Sequence, residues 1–309
     1  MKKMSKRILF FGNERLATGV HSSVPTLRAL LNADYEIPAI VIAQNQTGKS
    51  RRERLLEVSE TAQKRNIPLL SPVDLAEARD QLAGFGAEAA VLIAYGKIVP
   101  AAILDLFPLG VINVHPSLLP RHRGPAPIEN TILNGDEETG VSLMRLAAEM
   151  DTGPVYAQRT LSLNGNETKQ ELADRLLALG ADLVMEYLPK VLDGSAEPIP
   201  QDEAAATYDH LITKADGLVD WTKSALRLER EVRAYAGWPR SRTAFFGKEA
   251  VVTKAHVAGT GGAGQPGGLR IEGRELGVYT GQGVLVIDSL IPAGKKEMTA
   301  AAFLAGYKR

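Results

Sequence analysis

The sequence predicts a doubly wound α/β domain followed by a small β-barrel domain. Through the first 192 residues, short apolar runs alternate with segments of helical periodicity, which is the pattern of a parallel sheet covered by helices on both faces. From residue 207 onward the apolar runs stay short and are separated by glycine-rich turns, as in small barrels. Between the two lies a small, acidic stretch punctuated by Pro198 and Pro200. We therefore predict domains at 1–192 and 207–309, joined by a linker at 193–206.

The elements of the first domain follow from the spacing of apolar residues. The predicted strands are 7–11, 37–43, 67–70, 89–94, the run around 111–114, 141–146 and 155–161. The predicted helices are 26–31, 55–65, 75–84 and 168–192. In the second domain we predict a helix at 224–235 and strands at 243–246, 250–255, 275–279 and 283–290.

Composition excludes several classes of protein. The chain has 309 residues and no cysteine, so disulfides, thiolate catalysis and cysteine-ligated metals are excluded. The basic start is followed by an apolar run of only Ile8–Phe11, which is too short for a signal peptide or a membrane span. We expect a cytoplasmic protein without a membrane partner.

Charge is unevenly distributed along a chain whose formal net charge is zero. Residues 207–309 contain eight Arg and seven Lys against six Glu and four Asp, a formal charge of +5, and the remainder carries −5. A basic C-terminal third favours a domain that faces a polyanion.

Three familiar motifs are absent or out of context. The run Gly259–Gly264 fits G-x-G-x-x-G, but it lies between two predicted strands instead of opening a helix, so we interpret it as a hairpin connection and expect no nicotinamide or flavin. His115 and His122 are seven residues apart, a spacing that does not suggest a metal site. No Gly-x-Ser-x-Gly turn for serine hydrolysis occurs.

The polar residues of the run around 111–114 are the strongest candidates for a site. Asn113 and His115 are two positions apart, so their side chains point to the same face of a strand. Pro116 and Pro120 follow, and proline ends strand pairing because it has no N–H to donate. An amide and an imidazole at a strand end, together with Asp151 in a later glycine-bounded turn, suit acyl-group chemistry.

Longer motifs around these residues resemble a known family. They are Ala94–Pro100, Gly110–Pro127, Gly135–Gly140, Asp151–Gly153 and, in the C-terminal third, Asp220-Trp221, Trp238-Pro239 and Pro292–Met298. Together they resemble the 10-formyltetrahydrofolate-dependent formyltransferases over nearly the whole chain. The similarity is greatest to the branch that formylates methionyl-initiator tRNA.

The resemblance implies a Rossmann-like formyltransferase domain and an OB-fold-like C-terminal domain that helps to hold tRNA. It implies that Asn113, His115 and Asp151 form the catalytic trio. Asn113 and a protonated His115 would donate to the formyl oxygen, and Asp151 would favour the charged imidazole or take the proton of the amine through water. The formyl donor would be 10-formyltetrahydrofolate, held by Leu92, Ile93, Tyr95, Gly96, Ser117, Leu118, Leu119 and Pro120, with further backbone from the loop 147–151.

The same resemblance implies initiator methionyl-tRNA as partner, a monomer and no metal. The expected tRNA contacts are basic residues: Lys49, Arg51, Arg52, Arg121, Arg123, Arg230, Arg233, Lys295 and Lys296.

Two segments depart from the family pattern. The turn Gly12–Leu16 replaces a Thr-Pro-Asp/Glu-Phe type of turn, and the basic loop Asn45–Arg54 is shorter than usual, although phosphate contacts depend on charge more than on spacing.

Three alternatives share parts of this pattern. A sugar-nucleotide N-formyltransferase has the same trio and a related C-terminal domain. The hydrolase domain of formyltetrahydrofolate dehydrogenase carries a similar His-Pro-Ser-Leu-Leu-Pro-Arg-His-Arg-Gly run, but has an apolar residue in place of Asn113. A non-catalytic RNA-binding protein would not need the trio, and is the least favoured.

Overall fold

The computed structural model describes residues 6–21, 23–43, 57–258 and 264–307. The chain folds into two compact units. The first comprises residues up to Pro127, Glu137–Leu163 and Gln170–His210, and the second comprises Ile128–Asp136, Asn164–Lys169 and the residues from Leu211 onward. The range 193–206, predicted as a linker, therefore lies within the first unit.

The first unit contains a mostly parallel seven-stranded sheet, as predicted. Its strands are β1 (Ile8–Gly12), β2 (Ile40–Val41), β3 (Leu69–Leu70), β4 (Ala89–Ile93), β5 (Val111–His115), β6 (Glu138–Arg145) and β7 (Val155–Ser162). The strand order is β3-β2-β1-β4-β5-β6-β7. The pairs from β3 to β5 are parallel, and β6 and β7 are antiparallel additions at one edge.

The α-helices before residue 193 in the described ranges are α1 (Pro25–Asn32), α2 (Glu57–Lys64), α3 (Arg79–Ala83), α4 (Ala101–Leu104), α5 (Pro127–Asn134) and α6 (Lys169–Leu192). The predicted helix 75–84 is divided into a 3₁₀ turn at Ala76–Ala78 and α3. Helices α4 and α5 were not predicted, because segments of four and eight residues show too little periodicity to be recognised.

The central strands lie in the core of the first unit. Every residue of β1, β4 and β5 is buried, which explains why β1 and β4 appear in the sequence as continuous apolar runs. Phe11 at the end of β1 contacts the ring edges of Tyr95 and Phe107, with centroids 5.7 and 6.1 Å away. These contacts hold the segment after β4 against the end of β1.

The second unit contains an antiparallel sheet. Its elements are α7 (Ala225–Ala234), β8 (Ser241–Phe245), β9 (Lys248–Val257), β10 (Leu269–Glu272), β11 (Glu275–Tyr279), β12 (Val284–Pro292), β13 (Met298–Thr299) and α8 (Ala300–Tyr307). The strand order is β10-β11-β12-β9-β8, and β13 pairs with β12. A separate antiparallel domain is thus confirmed, and its closure into an OB-like barrel stays a prediction.

None of the helices in the described ranges is both long enough and apolar enough to cross a bilayer.

Candidate active site

The site is built at the carboxyl end of β5, the last parallel strand of the sheet, which lies between parallel β4 and antiparallel β6. Asn113 pairs with Leu92 of β4 on one side and with Met144 of β6 on the other, and His115 pairs with Ser142. Asn113 and His115 are only 6% and 5% exposed. In such sheets, ligands bind outside the carboxyl ends of the strands, so the position of this pair is that of a binding site.

Both ring nitrogens of His115 have a defined neighbour. Nε2 lies 2.9 Å from the backbone carbonyl oxygen of His122. A carbonyl oxygen only accepts hydrogen bonds, so Nε2 must carry the hydrogen and donate it. Nδ1 faces Asp151, 3.7 Å from Oδ1, which is beyond hydrogen-bond length. Any proton that His115 exchanges therefore moves at Nδ1.

Asp151 is held in a tight turn in the left-handed region of backbone space, with φ of 53°. Its Oδ2 accepts a hydrogen bond of 2.8 Å from the backbone N–H of Gly124. This leaves Oδ1 directed at His115. The turn also needs Gly153, because a Cβ there would lie 1.8 Å from the carbonyl oxygen of Arg145.

The side-chain amide of Asn113 forms no hydrogen bond within the described part of the chain. The residue is 6% exposed, and its amide atoms are not among the fully buried polar atoms that lack a partner in the described ranges, so they remain open to a ligand. Such a group is expected where a ligand completes the hydrogen bonding. The N–H groups of Asn113 are therefore free to donate to a bound oxygen.

The segment predicted to hold folate after β5 is rigidly fixed. Ser117 Oγ donates to the carbonyl oxygen of Arg121 at 2.7 Å, and Ser142 Oγ accepts from the backbone N–H of Leu119 at 3.0 Å. Gln158 Nε2 donates to the carbonyl oxygen of Leu119 at 2.7 Å. These bonds leave the half-buried side chains of Leu118 and Pro120 as the apolar surface of the segment.

The second predicted folate segment follows β4, which is the neighbouring parallel strand. Leu92, Ile93 and Tyr95 have buried side chains, so a ligand can meet mainly their backbone. The end of β1 comes very close to this segment at Gly12, where φ is +106° and a Cβ would lie 1.8 Å from the carbonyl oxygen of Ile93. The structure thus brings both segments that were predicted to hold folate to adjacent strand ends.

The predicted tRNA contact at Arg123 is contradicted by the structure. Its side chain is fully buried, and all five N–H donors are used within the first unit. They go to Gln201 Oε1, to both carboxylate oxygens of Glu203 and to the hydroxyl oxygen of Tyr208. The paired charges raise the pKa of the Arg123 guanidinium and lower the pKa of Glu203. A guanidinium with no free donor cannot bind a phosphate.

The other predicted tRNA contacts fall into three groups. Lys49, Arg51 and Arg52 lie outside the described residues, as does most of the Gly259–Gly264 run. Arg230 and Arg233 are half-buried in the second unit, where Arg230 donates to the carbonyl oxygen of Asn134 and Arg233 to that of Glu167 and to the Glu229 carboxylate. Arg121, Lys295 and Lys296 are exposed, and their role in tRNA binding stays a prediction.

Sequence reasoning missed the residues that surround the trio from outside the strand ends. Gln201 donates to the backbone carbonyls of Asp151 and Gly153, yet it lies within the predicted linker at 193–206. No local pattern identifies it, because its partners are about 50 residues away.

A cavity of about 440 Å³ lies elsewhere in the first unit, around the beginning of β5. Its walls include Leu104, Phe107, Gly110 and Arg145, and none of the three residues of the predicted trio lines it. Across the described ranges, no three side chains of His, Asp or Glu are grouped so that they could hold a metal ion.

Comparisons with known proteins place the chain in a family. Residues 19–188 match the family described as formyl transferase, and residues 211–308 match the formyl transferase C-terminal domain. The chain is 36% identical to methionyl-tRNA formyltransferase of Roseiflexus castenholzii, with 99% of this chain and 97% of that protein covered. It is 38% identical to methionyl-tRNA formyltransferase of Chloroflexus aurantiacus, with 97% and 96% covered.

Solved structures with the same fold are more distant in sequence. HypX of Aquifex aeolicus in complex with tetrahydrofolic acid has a TM-score of 0.66 at 18% identity, and the match covers 98% of this chain and 47% of HypX. This chain therefore spans about half the length of HypX. An N-formyltransferase of Helicobacter canadensis, in complex with folinic acid and dTDP-3-aminofucose, has a TM-score of 0.66 at 18% identity, covering 96% of this chain and all of that one. At this level of identity the two similarities establish the fold. Taken with the domain matches and the full-length relatives, they show that the chain belongs to the formyl transferase family.

Proposed function

We propose that this enzyme transfers the formyl group of 10-formyltetrahydrofolate to the α-amino group of methionyl-initiator tRNA. The observation that carries the proposal is the convergence of Asn113, His115 and Asp151 at the carboxyl end of β5. The full-length relatives named methionyl-tRNA formyltransferase support the choice of acceptor.

The trio suits attack by an amine on a formyl carbon. A free α-amino group titrates near 7.7–8.0, so a useful fraction is already neutral at pH 7. As the amine nitrogen bonds to the formyl carbon, negative charge develops on the formyl oxygen, and the bond from that carbon to the nitrogen of the donor then breaks. The free amide of Asn113 and a proton on Nδ1 of His115 would donate to this oxygen. One such donor is worth on the order of 3 kcal/mol in other enzymes.

The geometry favours Nδ1 of His115 over Nε2 for this role. Nε2 is already bound to the carbonyl oxygen of His122, so only Nδ1 can serve the reaction. The Asp151 carboxylate, 3.7 Å away, stabilises the positive charge of the doubly protonated ring by Coulomb attraction. It also offers an acceptor for the proton that the amine loses, directly or through water, and that proton is finally returned to the nitrogen of the leaving folate.

The residues after β4 and β5 fit a folate. The apolar side chains of Leu118 and Pro120 are partly exposed on a segment whose backbone is fixed, so they can contact an aromatic ring without rearrangement. The buried side chains after β4 leave backbone N–H and C=O groups as the polar partners. Backbone groups on a rigid segment are suited to the hydrogen-bonding edge of a pterin.

Charge favours tRNA over a free sugar nucleotide as the acceptor. Residues 207–309 carry a formal charge of +5, and the exposed side chains of Lys295 and Lys296 lie in the loop between β12 and β13. A basic domain increases the binding affinity of a long polyanion more than that of a small acceptor, since each phosphate contact releases counterions.

The deciding experiment is a parallel assay with 10-formyltetrahydrofolate as donor. One arm contains charged methionyl-initiator tRNA, and the other contains a UDP-aminosugar. We expect formylation of the tRNA alone, with a rate at subsaturating tRNA that falls steeply between 50 and about 200 mM salt. Activity on the sugar alone would replace this proposal by a sugar-nucleotide formyltransferase. Hydrolysis of the donor without transfer would replace it by the hydrolase.

A further inference from the structure

Residues 199–209 run along the loop that contains Arg123, and we call them the clasp segment. The backbone N–H of Arg123 donates to the carbonyl oxygen of Thr207 at 2.9 Å, and the N–H of Asp209 donates to the carbonyl oxygen of Arg123 at 2.8 Å. At its other end, Ile199 exchanges two hydrogen bonds of 2.8 Å with Val155, the first residue of β7. The clasp segment is therefore fixed at both ends against the catalytic side of the first unit.

Between these ends, one side chain of the clasp segment holds the turn of the catalytic carboxylate. Gln201 Nε2 donates to the backbone carbonyl oxygens of Asp151 and Gly153, each at 2.7 Å. Asp151 has a positive φ, a conformation that is costly for a residue with a side chain and that persists only when its surroundings impose it. Both N–H donors of the Gln201 amide therefore stabilise this backbone conformation of Asp151.

The orientation of the Gln201 amide is fixed by Arg123. Its Oε1 accepts hydrogen bonds from Arg123 Nε at 3.1 Å and from Nη2 at 2.9 Å. A guanidinium can only donate and the two backbone carbonyls can only accept, so the amide cannot be reversed. The Arg123 guanidinium is itself fixed by two hydrogen bonds to Glu203, at 2.7 and 2.8 Å.

The backbone on either side of Arg123 reaches both titratable members of the trio. The carbonyl oxygen of His122 accepts from His115 Nε2, and the N–H of Gly124 donates to Asp151 Oδ2. A shift of Arg123 would therefore change the orientation of His115 and of Asp151 together. Neither Arg123 nor Gln201 contacts the Nδ1–Oδ1 gap itself.

We propose that Gln201 and Arg123 are positioning residues for the formyl-transfer reaction, and that they direct Oδ1 of Asp151 at Nδ1 of His115. The inference rests on the proposed function, because it assigns these residues to the same trio. Positioning of this kind acts on kcat, since a displacement of about 1 Å at a catalytic group costs on the order of 100-fold in rate. It leaves the KM for both substrates nearly unchanged.

The first test is Gln201→Glu, which is nearly isosteric. One carboxylate oxygen still accepts from Arg123, but the other faces two carbonyl oxygens and repels them instead of donating to them. We expect kcat to fall at least tenfold, with both KM values within threefold of wild type. Gln201→Met, which brings no charge, is expected to lower kcat at least as much. A matched control is Gln170→Glu. Like Gln201, Gln170 donates through its amide to a backbone carbonyl, that of His21, while its Oε1 accepts from the His21 N–H. This variant is expected to keep wild-type kcat.

A double-mutant cycle separates positioning from general loss of stability. In an Asp151→Asn background, where the carboxylate is already gone, Gln201→Glu should lower kcat less than twofold. Equal losses in the two backgrounds would show that Gln201 acts on the fold and not through Asp151. Wild-type kcat in both Gln201 variants would also overturn the proposal.

A readout without catalysis keeps the inference distinct from the proposed function. Amide hydrogen exchange followed by NMR should be at least tenfold faster for the N–H of Gly124, which depends on Asp151, in both Gln201 variants. Exchange of the N–H of Leu119, which is bound to Ser142, should stay at the wild-type rate. If the wild type formylates neither acceptor, the proposed function fails while this measurement still decides the positioning role; unchanged exchange at Gly124 would overturn that role.

Discussion

The imidazole of His115 and the carboxylate of Asp151 face each other across a gap of 3.7 Å between Nδ1 and Oδ1. Both side chains are almost completely buried, so water screens their interaction only weakly. A direct hydrogen bond would lock the pair together. The observed gap instead leaves Nδ1 accessible to a third group, which is the condition for a proton to move between a substrate and the pair.

Of the three residues, Asn113 should contribute least to the stability of the fold, although its amide should be critical for kcat. Since it has no hydrogen-bond partner in the described part of the chain, Asn113→Ala should leave the melting temperature within about 2 °C of wild type. Loss of one donor to the formyl oxygen should lower kcat on the order of 100- to 1000-fold. His115→Ala and Asp151→Ala should also remove most turnover in the folded protein. Near-normal formylation by any of the three variants would remove that residue from the mechanism.

Stability should depend on pH through Glu14, which is completely buried after β1. Burial raises the pKa of this carboxyl from 4.5 to about 7, and the hydrogen bonds from the backbone N–H groups of Leu27 and Thr26 offset only part of the effect. Between pH 4.5 and 7 the folded protein then binds one more proton than the unfolded chain, so the free energy of unfolding falls as the pH rises, by about 3 kcal/mol from this group.

Urea denaturation of wild type and Glu14→Gln at several pH values measures this effect. In Glu14→Gln the decline between pH 4.5 and 7 should be smaller by about 3 kcal/mol. The matched control is Glu138→Gln, at an exposed residue of β6, which should follow the wild-type curve. Identical pH dependence in Glu14→Gln and wild type would show that the carboxyl is not protonated in the folded protein at neutral pH.

Loss of the buried guanidinium should destabilise the first unit. Arg123→Met leaves the acceptors of Gln201 and Glu203 without their donors. Because the Glu203 side chain is 68% exposed and can return to water, we expect a cost of about 2 kcal/mol, less than for a fully buried pair. Arg159→Met breaks the exposed ion pair with Glu186 and should cost less than about 1 kcal/mol. Chemical denaturation of both variants checks the difference, and equal costs would contradict it.

The close approach of β1 to β4 should make Gly12 irreplaceable. Gly12→Ala places a Cβ 1.8 Å from the carbonyl oxygen of Ile93, whereas Gly165→Ala, also at positive φ, meets nothing within 4 Å. Gly165→Ala should cost about 1–2 kcal/mol for its backbone conformation alone. Gly12→Ala should cost at least about 2 kcal/mol more, or give insoluble protein. Thermal unfolding of the two variants compares them, and similar melting temperatures would contradict the clash.

The central part of the fold and the core of the site could be predicted from local patterns. Strands β1 and β4 are continuous apolar runs because they are buried on both faces, and burial imposes that composition directly on the sequence. Asn113 and His115 share a face because side chains alternate along any strand. By contrast, α4 and α5 were missed, since short helices leave little periodicity.

Contacts between residues that are distant in the chain could not be predicted from local patterns. The local sequence predicts which side chains emerge at the end of β5, because this depends on a two-residue repeat. It did not determine that Nε2 of His115 is occupied by the carbonyl oxygen of His122, nor that Arg123 is buried against Glu203 instead of facing tRNA. Nor did it connect Gln201 with the turn at Asp151. The identity of a basic residue does not show whether its side chain faces solvent or a carboxylate within the fold, because tertiary packing determines its surroundings.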